Sequence, residues 1–173
     1  MMGNEIEFDL LGHPVHPRAR ALISDDFFWS SADESAPFGS NEGYYAVYDY
    51  FAWRETRGNH DKPFIEYLKF LFAENGLDMT TYLDSSSTPE TISEKNSQKS
   101  AHDDLSFFRT ITPAALCQLV FEGKMDNVTK KIAKTIISKM YDPKFIRQFI
   151  IDEKNMHDAH SYKIWLLGII DAG

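Results

Sequence analysis

Apolar positions recur at helical spacing through the second half of the chain. Val128, Ile132, Ile136 and Met140 return every fourth residue, with Ala133 and Ile137 beside them. That spacing marks one face of an amphipathic helix. Further back, Phe64, Tyr67, Leu68, Leu71 and Phe72 fall at i, i+3, i+4, i+7 and i+8 and predict a helix from about Pro63 to Asn75. Leu116, Leu119 and Val120 form another apolar face, and Phe145, Ile146, Phe149 and Ile150 read as buried pairs. A last helix is expected over about Asp158 to Asp171, with Tyr162, Trp165, Leu166, Ile169 and Ile170 inward.

Cap residues punctuate these runs. Ser40 is placed to accept from a free first-turn amide, with Glu42 favoured there by the helix dipole. It opens a helix over about Asn41 to Arg57 that Gly58-Asn59 stops. Gly76 suits the left-handed end of the following helix. Thr112-Pro113 and Asp142-Pro143 read as a cap followed by proline at the first helical position, and Asp126 as a further cap. Near the start, Glu5–Leu10 suggests a short strand, His13–Pro17 a proline-bounded turn, and Pro17–Leu22 a short helix. Residues 84–104 break the pattern: only Ile92 and Ala101 are apolar and six are serine. Burial there cannot offset the entropy of ordering, so a flexible polar insertion is expected. The whole predicts a mainly α fold: one domain over residues 1–173, a bundle of about five to six helices with an irregular N-terminal segment and a long polar loop.

Charge sharpens this picture. The net formal charge of −8 is unevenly spread. Residues 1–62 carry 11 acids and 5 bases, residues 63–104 carry 8 and 3, and residues 105–173 carry 7 and 10. An acidic N-terminal part therefore precedes a basic C-terminal one. The sign argues against nonspecific nucleic-acid binding, which depends on neutralising phosphates. A single cysteine, Cys117, excludes an internal disulfide and a cysteine-rich zinc site. With no basic leader in Met1–Leu11 and no apolar run longer than Ile164–Ile170, against the roughly 20 residues a bilayer requires, a cytoplasmic protein with no membrane partner is expected.

The densest feature is aromatic. Residues 27–53 hold 10 of the 24 aromatic residues, set among Asp25, Asp26, Asp33, Glu34, Glu42 and Asp49. Tyr44, Val47, Tyr48 and Phe51 are expected to share one face of their helix, with Tyr50, Trp53 and Arg54 lying partly round from it. Six aromatics between residues 44 and 53 exceed what one stripe buries, and exposed Tyr and Trp beside carboxylates suit a protein-binding surface. The adjacent pairs Asp25-Asp26 and Asp33-Glu34 diverge on helix and strand alike, so they read as caps and loop charges. His13 with His16, and His157 with His160, lack a third ligand at a recognised spacing. No nucleophile elbow, P-loop or dinucleotide fingerprint is present, and Cys117 reads as an inert buried thiol. Lys130, Lys131, Lys134 and Lys139 read as the solvated face of their helix.

The segments Asp25-Asp26-Phe27-Phe28-Trp29, Glu34 through Gly43 and Trp53-Arg54 resemble the YfeS-like group of short bacterial proteins of uncharacterised function, over about residues 13–57. Some members of that group carry a WGR domain; no Trp-Gly-Arg triplet occurs here. The resemblance implies no catalytic residue. It implies that the Asp-Phe-Phe-Trp segment and the Phe38–Gly43 turn form one unit.

These readings converge on a non-enzymatic, bacterial-type interaction module, immunity-like, that binds a basic protein without a cofactor or metal. Its candidate contact residues are Asp25, Asp26, Trp29, Glu34, Phe38, Glu42, Tyr45, Asp49, Tyr50, Trp53 and Arg54. The alternatives are a small-ligand or metal-dependent enzyme with a pocket near Asp25, Asp26 and Glu34, and nucleic-acid binding through the Lys-rich helix 126–140.

Overall fold

A helix buried on all sides organises the chain. The computed structural model describes residues 8–83 and 101–173, and within them every residue from 111 to 120 is buried. In order the elements are β1 (Asp9–Leu10), β2 (His13–Pro14), α1 (Pro17–Leu22), α2 (Asn41–Glu55), α3 (Phe64–Glu74), α4 (Met79–Leu83), α5 (Ala101–Glu122), α6 (Asn127–Met140), α7 (Pro143–Ile146) and α8 (Glu153–Ala172). The mainly α architecture expected from the apolar spacing is the one present. α5 packs against α1, α2, α3 and α6, and α6 packs in turn against α3, α4, α7 and α8.

The N-terminal segment closes the C-terminal end of α5. β1 and β2 form an antiparallel hairpin pairing Asp9 with Pro14 and Leu10 with His13. The turn lies at Leu11-Gly12, with φ of 53° and 80°, not within the His13–Pro17 stretch. Two positive φ values in succession are what a tight hairpin turn with the strands' own twist requires. His16 then caps α1, its Nδ1 accepting from the Arg18 amide at 3.1 Å. The His16 amide donates to the Val120 carbonyl at 2.8 Å, and Arg18 Nη1 donates to the Gly123 carbonyl at 2.9 Å. Carbonyls that α5 leaves without helical donors are thus satisfied from outside.

The expected caps perform as caps. Ser40 Oγ accepts from the Gly43 amide, Asp126 Oδ1 from Thr129 and Asp142 Oδ1 from Lys144 and Phe145. Past α3, Gly76 takes φ +67°, with Leu77 N donating to Phe72 O and Gly76 N to Ala73 O. That pair of bonds is a Schellman ending.

Several boundaries differ from expectation, each for a physical reason. Thr112-Pro113 starts no helix; it lies inside α5. Proline removes the N–H that the Arg109 carbonyl would receive. Thr112 Oγ1 bonds back to the Phe108 carbonyl at 2.9 Å, and burial all round α5 carries the helix through. α5 begins at Ala101, so residues 101–104 are helical and Asp104 is buried; residues 84–100 lie outside the described residues. α8 begins at Glu153, capped by Asp152 Oδ1 on the Asn155 amide, five residues before the expected start at Asp158. On α6, Val128 is exposed and Lys139 is buried, reversing the expectation for both.

The inner face of α2 consists of Gly43, Ala46, Val47, Tyr50 and Trp53. Small residues let the helix approach the segment before it. A Cβ on Gly43 would stand 2.3 Å from the Pro37 carbonyl oxygen and 2.7 Å from Phe38 Cα. Phe38 is therefore laid over the first turn of α2, and Phe28 meets Phe38 edge-on at 5.7 Å. Trp29 closes this group, its Nε1 donating to the Ile23 carbonyl at 2.9 Å.

Two measurements test this account. Gly43→Ala gains helix propensity but forces backbone apart, and is expected to cost about 2 kcal/mol in urea unfolding followed by tryptophan fluorescence. Burial works to raise the Asp126 carboxyl, but hydrogen bonds from Thr129, Gln118 and Val128 prevail and hold it below its ordinary 3.8. Its stabilisation is present above the unfolded value and lost as pH falls through the lower folded one. The wild-type advantage over Asp126→Ala is expected to be full above about pH 5 and to shrink as pH drops below about 4.

Candidate functional site

Because Gly43, Ala46, Val47, Tyr50 and Trp53 face inward, α2 turns its other tyrosines out. Tyr44, Tyr45 and Tyr48 are 49%, 59% and 61% exposed. Tyr44 and Tyr48 are thus on the surface while Val47, expected on their face, is buried, and Tyr50 and Trp53, the contact residues placed partly round from them, are inside. Gly43 fits against Pro37 and Phe38, so small residues as well as aromatics set the inner face.

The candidate contact residues divide accordingly. Trp29, Phe38, Tyr50 and Trp53 are core residues, the two tryptophans each 7% exposed, and present no docking surface. Asp25 and Asp26 are exposed; Asp25 Oδ1 accepts from the Phe27 amide, and Asp26 pairs with Arg20 at 3.4 Å. Glu34 is exposed and lies elsewhere, on the rim of a cleft. Glu42, Tyr45 and Asp49 remain on the outer side of α2 with Tyr44 and Tyr48. The Asp49 carboxyl is raised by partial burial and by Glu74.

Arg54 and Tyr50 belong to a polar network that sequence reasoning missed, because its third member lies 68 residues beyond Arg54. Glu122 Oε1 accepts from the Tyr50 hydroxyl at 2.8 Å and from Arg54 Nη2 at 2.5 Å. Arg54 Nη1 also reaches the carbonyls of Asn59 and Lys62. One guanidinium therefore ties α2 to the end of α5 and holds the 59–62 loop. Burial pushes the Tyr50 phenol well above its usual range, so it stays a donor.

A second region is a cleft of about 680 Å³ between the turn at residues 34–40 and helices α5, α7 and α8. Its floor is apolar, from Pro37, Met140, Ile146, Phe149 and Leu166. Arg109, Thr112 and Pro113 bring the interrupted stretch of α5 to its wall. Tyr141, Tyr162, Glu34, Asp152 and Asp158 complete it. Burial raises both phenols, with the Arg109 charge opposing at each and Asp33 adding to the rise at Tyr162. A pocket between the N-terminal segment and the bundle was expected, with Asp25, Asp26 and Glu34 in it; of these only Glu34 lines the cleft.

Other candidate chemistry is accounted for by packing. His13 stacks on Phe51 at 3.8 Å, His16 is the α1 cap, and no metal-binding group of side chains occurs among the described residues. Cys117 is fully buried, and that burial drives its thiol well above the usual range. The α6 lysines are not a uniform solvated face: Lys139 is buried, Lys134 pairs with Asp171, and Lys130 reaches the Asp171 carbonyl at 3.3 Å. No helix among the described residues is long and apolar enough to cross a membrane.

Removing Glu122 tests the network. Glu122→Ala leaves a partly buried guanidinium and a phenol without their shared acceptor, and is expected to cost about 2–3 kcal/mol in urea unfolding. Glu55→Ala, an exposed carboxylate on the same helix as Arg54, is expected to stay within about 0.5 kcal/mol. No protein-family model, curated protein or solved structure matches the chain.

Proposed function

We propose that this protein is a non-enzymatic interaction module that binds a basic protein surface through the outer face of α2. The observation that carries the reading is the row Tyr44, Tyr45 and Tyr48, each about half or more exposed, on a helix face that continues through Ala52 to Glu55. Glu42 and Asp49 flank the row. The one cation of α2, Arg54, is engaged by Glu122 and turned away from this face. Tyrosine offers a large contact area with few rotatable bonds and a polar tip, which is why interfaces are rich in it. Its ring also attracts Lys and Arg, and nearby carboxylates add to that attraction. An immunity-like role, in which the acidic face neutralises a basic toxin, is the concrete form of this reading.

The test compares wild type with Tyr45→Ala/Tyr48→Ala, using tagged full-length protein as bait in lysate. Both side chains are exposed, so the variant is expected to melt within a few degrees of wild type. A basic partner retained by wild type at low salt should be lost at high salt and recovered at least about ten-fold less by the variant, a drop worth about 1.4 kcal/mol. Equal recovery by both proteins, or no retained protein at all, overturns the reading.

A further inference from the structure

The cleft beside α5 brings charges of both signs to one stretch of its lining. Tyr162 marks that stretch, because the Arg109 and Asp33 charges act on its phenol in opposite directions. Asp158 stands one turn before Tyr162 on the same face of α8, and Glu34, next to Asp33, lines the same cavity. Tyr141 joins them, its ring 6.1 Å from that of Tyr162 and its phenol also acted on by Arg109. Arg109, Glu34, Asp158 and the two hydroxyls have no hydrogen-bond or ion-pair partner among the described residues. Burial keeps both phenols protonated, so each offers an O–H donor. Unmatched donors and unmatched acceptors therefore share one region of the cleft.

The rest of the lining is largely apolar and includes Met140, Ile146, Phe149 and Leu166. The volume of about 680 Å³ falls inside the range of small-molecule sites, which combine an apolar lining with a few oriented polar groups. An ionic head of either sign is disfavoured there. A carboxylate on Arg109 meets the acidic side chains beside Tyr162, and an ammonium on those side chains meets Arg109. An uncharged head escapes both repulsions. A carboxamide also uses both sets of groups, since its carbonyl accepts and its N–H groups donate. We propose that this cleft binds an uncharged molecule with an apolar tail and a carboxamide head, its carbonyl on Arg109 and the Tyr162 hydroxyl, its N–H groups on Asp158 or Glu34, and its tail on the apolar lining. The site is separate from the tyrosine face of α2 and does not depend on that reading.

Calorimetric titration of the full chain at neutral pH with heptanamide, heptanoate and heptylamine tests it, since the three share one tail and differ in the charge of the head. Heptanamide is expected to bind saturably at about millimolar concentration, and each ion at least about five-fold more weakly. Tyr162→Phe, which removes one donor, should weaken heptanamide. The charge variants should move the two ions in opposite directions. Arg109→Gln removes the like charge facing an ammonium and should tighten heptylamine at least about three-fold without tightening heptanoate. Glu34→Gln/Asp158→Asn should tighten heptanoate by a similar factor without tightening heptylamine. Arg109, Glu34 and Asp158 are exposed residues, so these variants are expected to fold, as melting curves will show. No saturable binding of heptanamide, binding of either ion as tight as that of the amide, or ion affinities that ignore the charge variants, overturns the proposal.

Discussion

A helix with no exposed residue from 111 to 120 has to be covered on every side, and the rest of this fold is the set of segments that cover it. α2, α3 and α6 pack against it, and His16 and Arg18 at the start of α1 close its end. The same requirement explains how α5 survives a proline. Pro113 withholds a backbone donor, a loss of several kcal/mol in an isolated helix, but unwinding at that point would expose Ile111, Leu116 and their neighbours. Tertiary burial outweighs the local preference. The interrupted stretch lines the cleft against α7 and α8.

Aromatic density in residues 27–53 follows from the same requirement. This segment must fill the space beside α2 and α5 with few regular elements of its own, so large side chains do the filling. Phe28, Trp29 and Phe38 form one edge-on group, and Tyr50 stacks on Phe121 at 5.9 Å while meeting Tyr67 at 5.4 Å. The tyrosines that have no place in this packing, Tyr44, Tyr45 and Tyr48, are left outside. Their exposure is a consequence of Gly43 and Ala46 occupying the close-approach positions, where no larger side chain fits.

How much of this was legible in the chain depended on range. Ser40, Gly76, Asp126 and Asp142 were readable because a cap acts on amides or carbonyls a few residues away, so its partners are fixed by local geometry. The α3 stripe was readable because one side of that helix is buried and the other is wet. The rule failed on α5, where burial all round erases periodicity, and on α2, where glycine and alanine mark the inner face and apolarity alone does not. It failed at the start of α8, where Glu153 to Ser161 are mostly polar and exposed and only the Asp152 cap signals the helix. Neither Glu122 with Arg54 nor Arg109 with Tyr141 and Tyr162 had any local signature, since each set is assembled from residues dozens of positions apart.

The uneven charge along the chain takes on a definite meaning in this arrangement. An acidic first part and a basic last part suggest surfaces that neutralise each other inside one fold, and five ion pairs among the described residues are arranged otherwise. Arg20 with Asp26 and Lys69 with Glu66 join residues of the acidic part, and Lys134 with Asp171 and Arg147 with Glu153 join residues of the basic part. Arg54 with Glu122 bridges the two in the opposite sense: it engages a cation of the acidic part with an anion of the basic part. Drawing Arg54 inward therefore deepens the negative character of the α2 face while fixing that helix to the core. One contact thus supplies both the rigidity of the tyrosine row and the absence of a competing cation beside it, the two conditions under which an electrostatically steered interface works best.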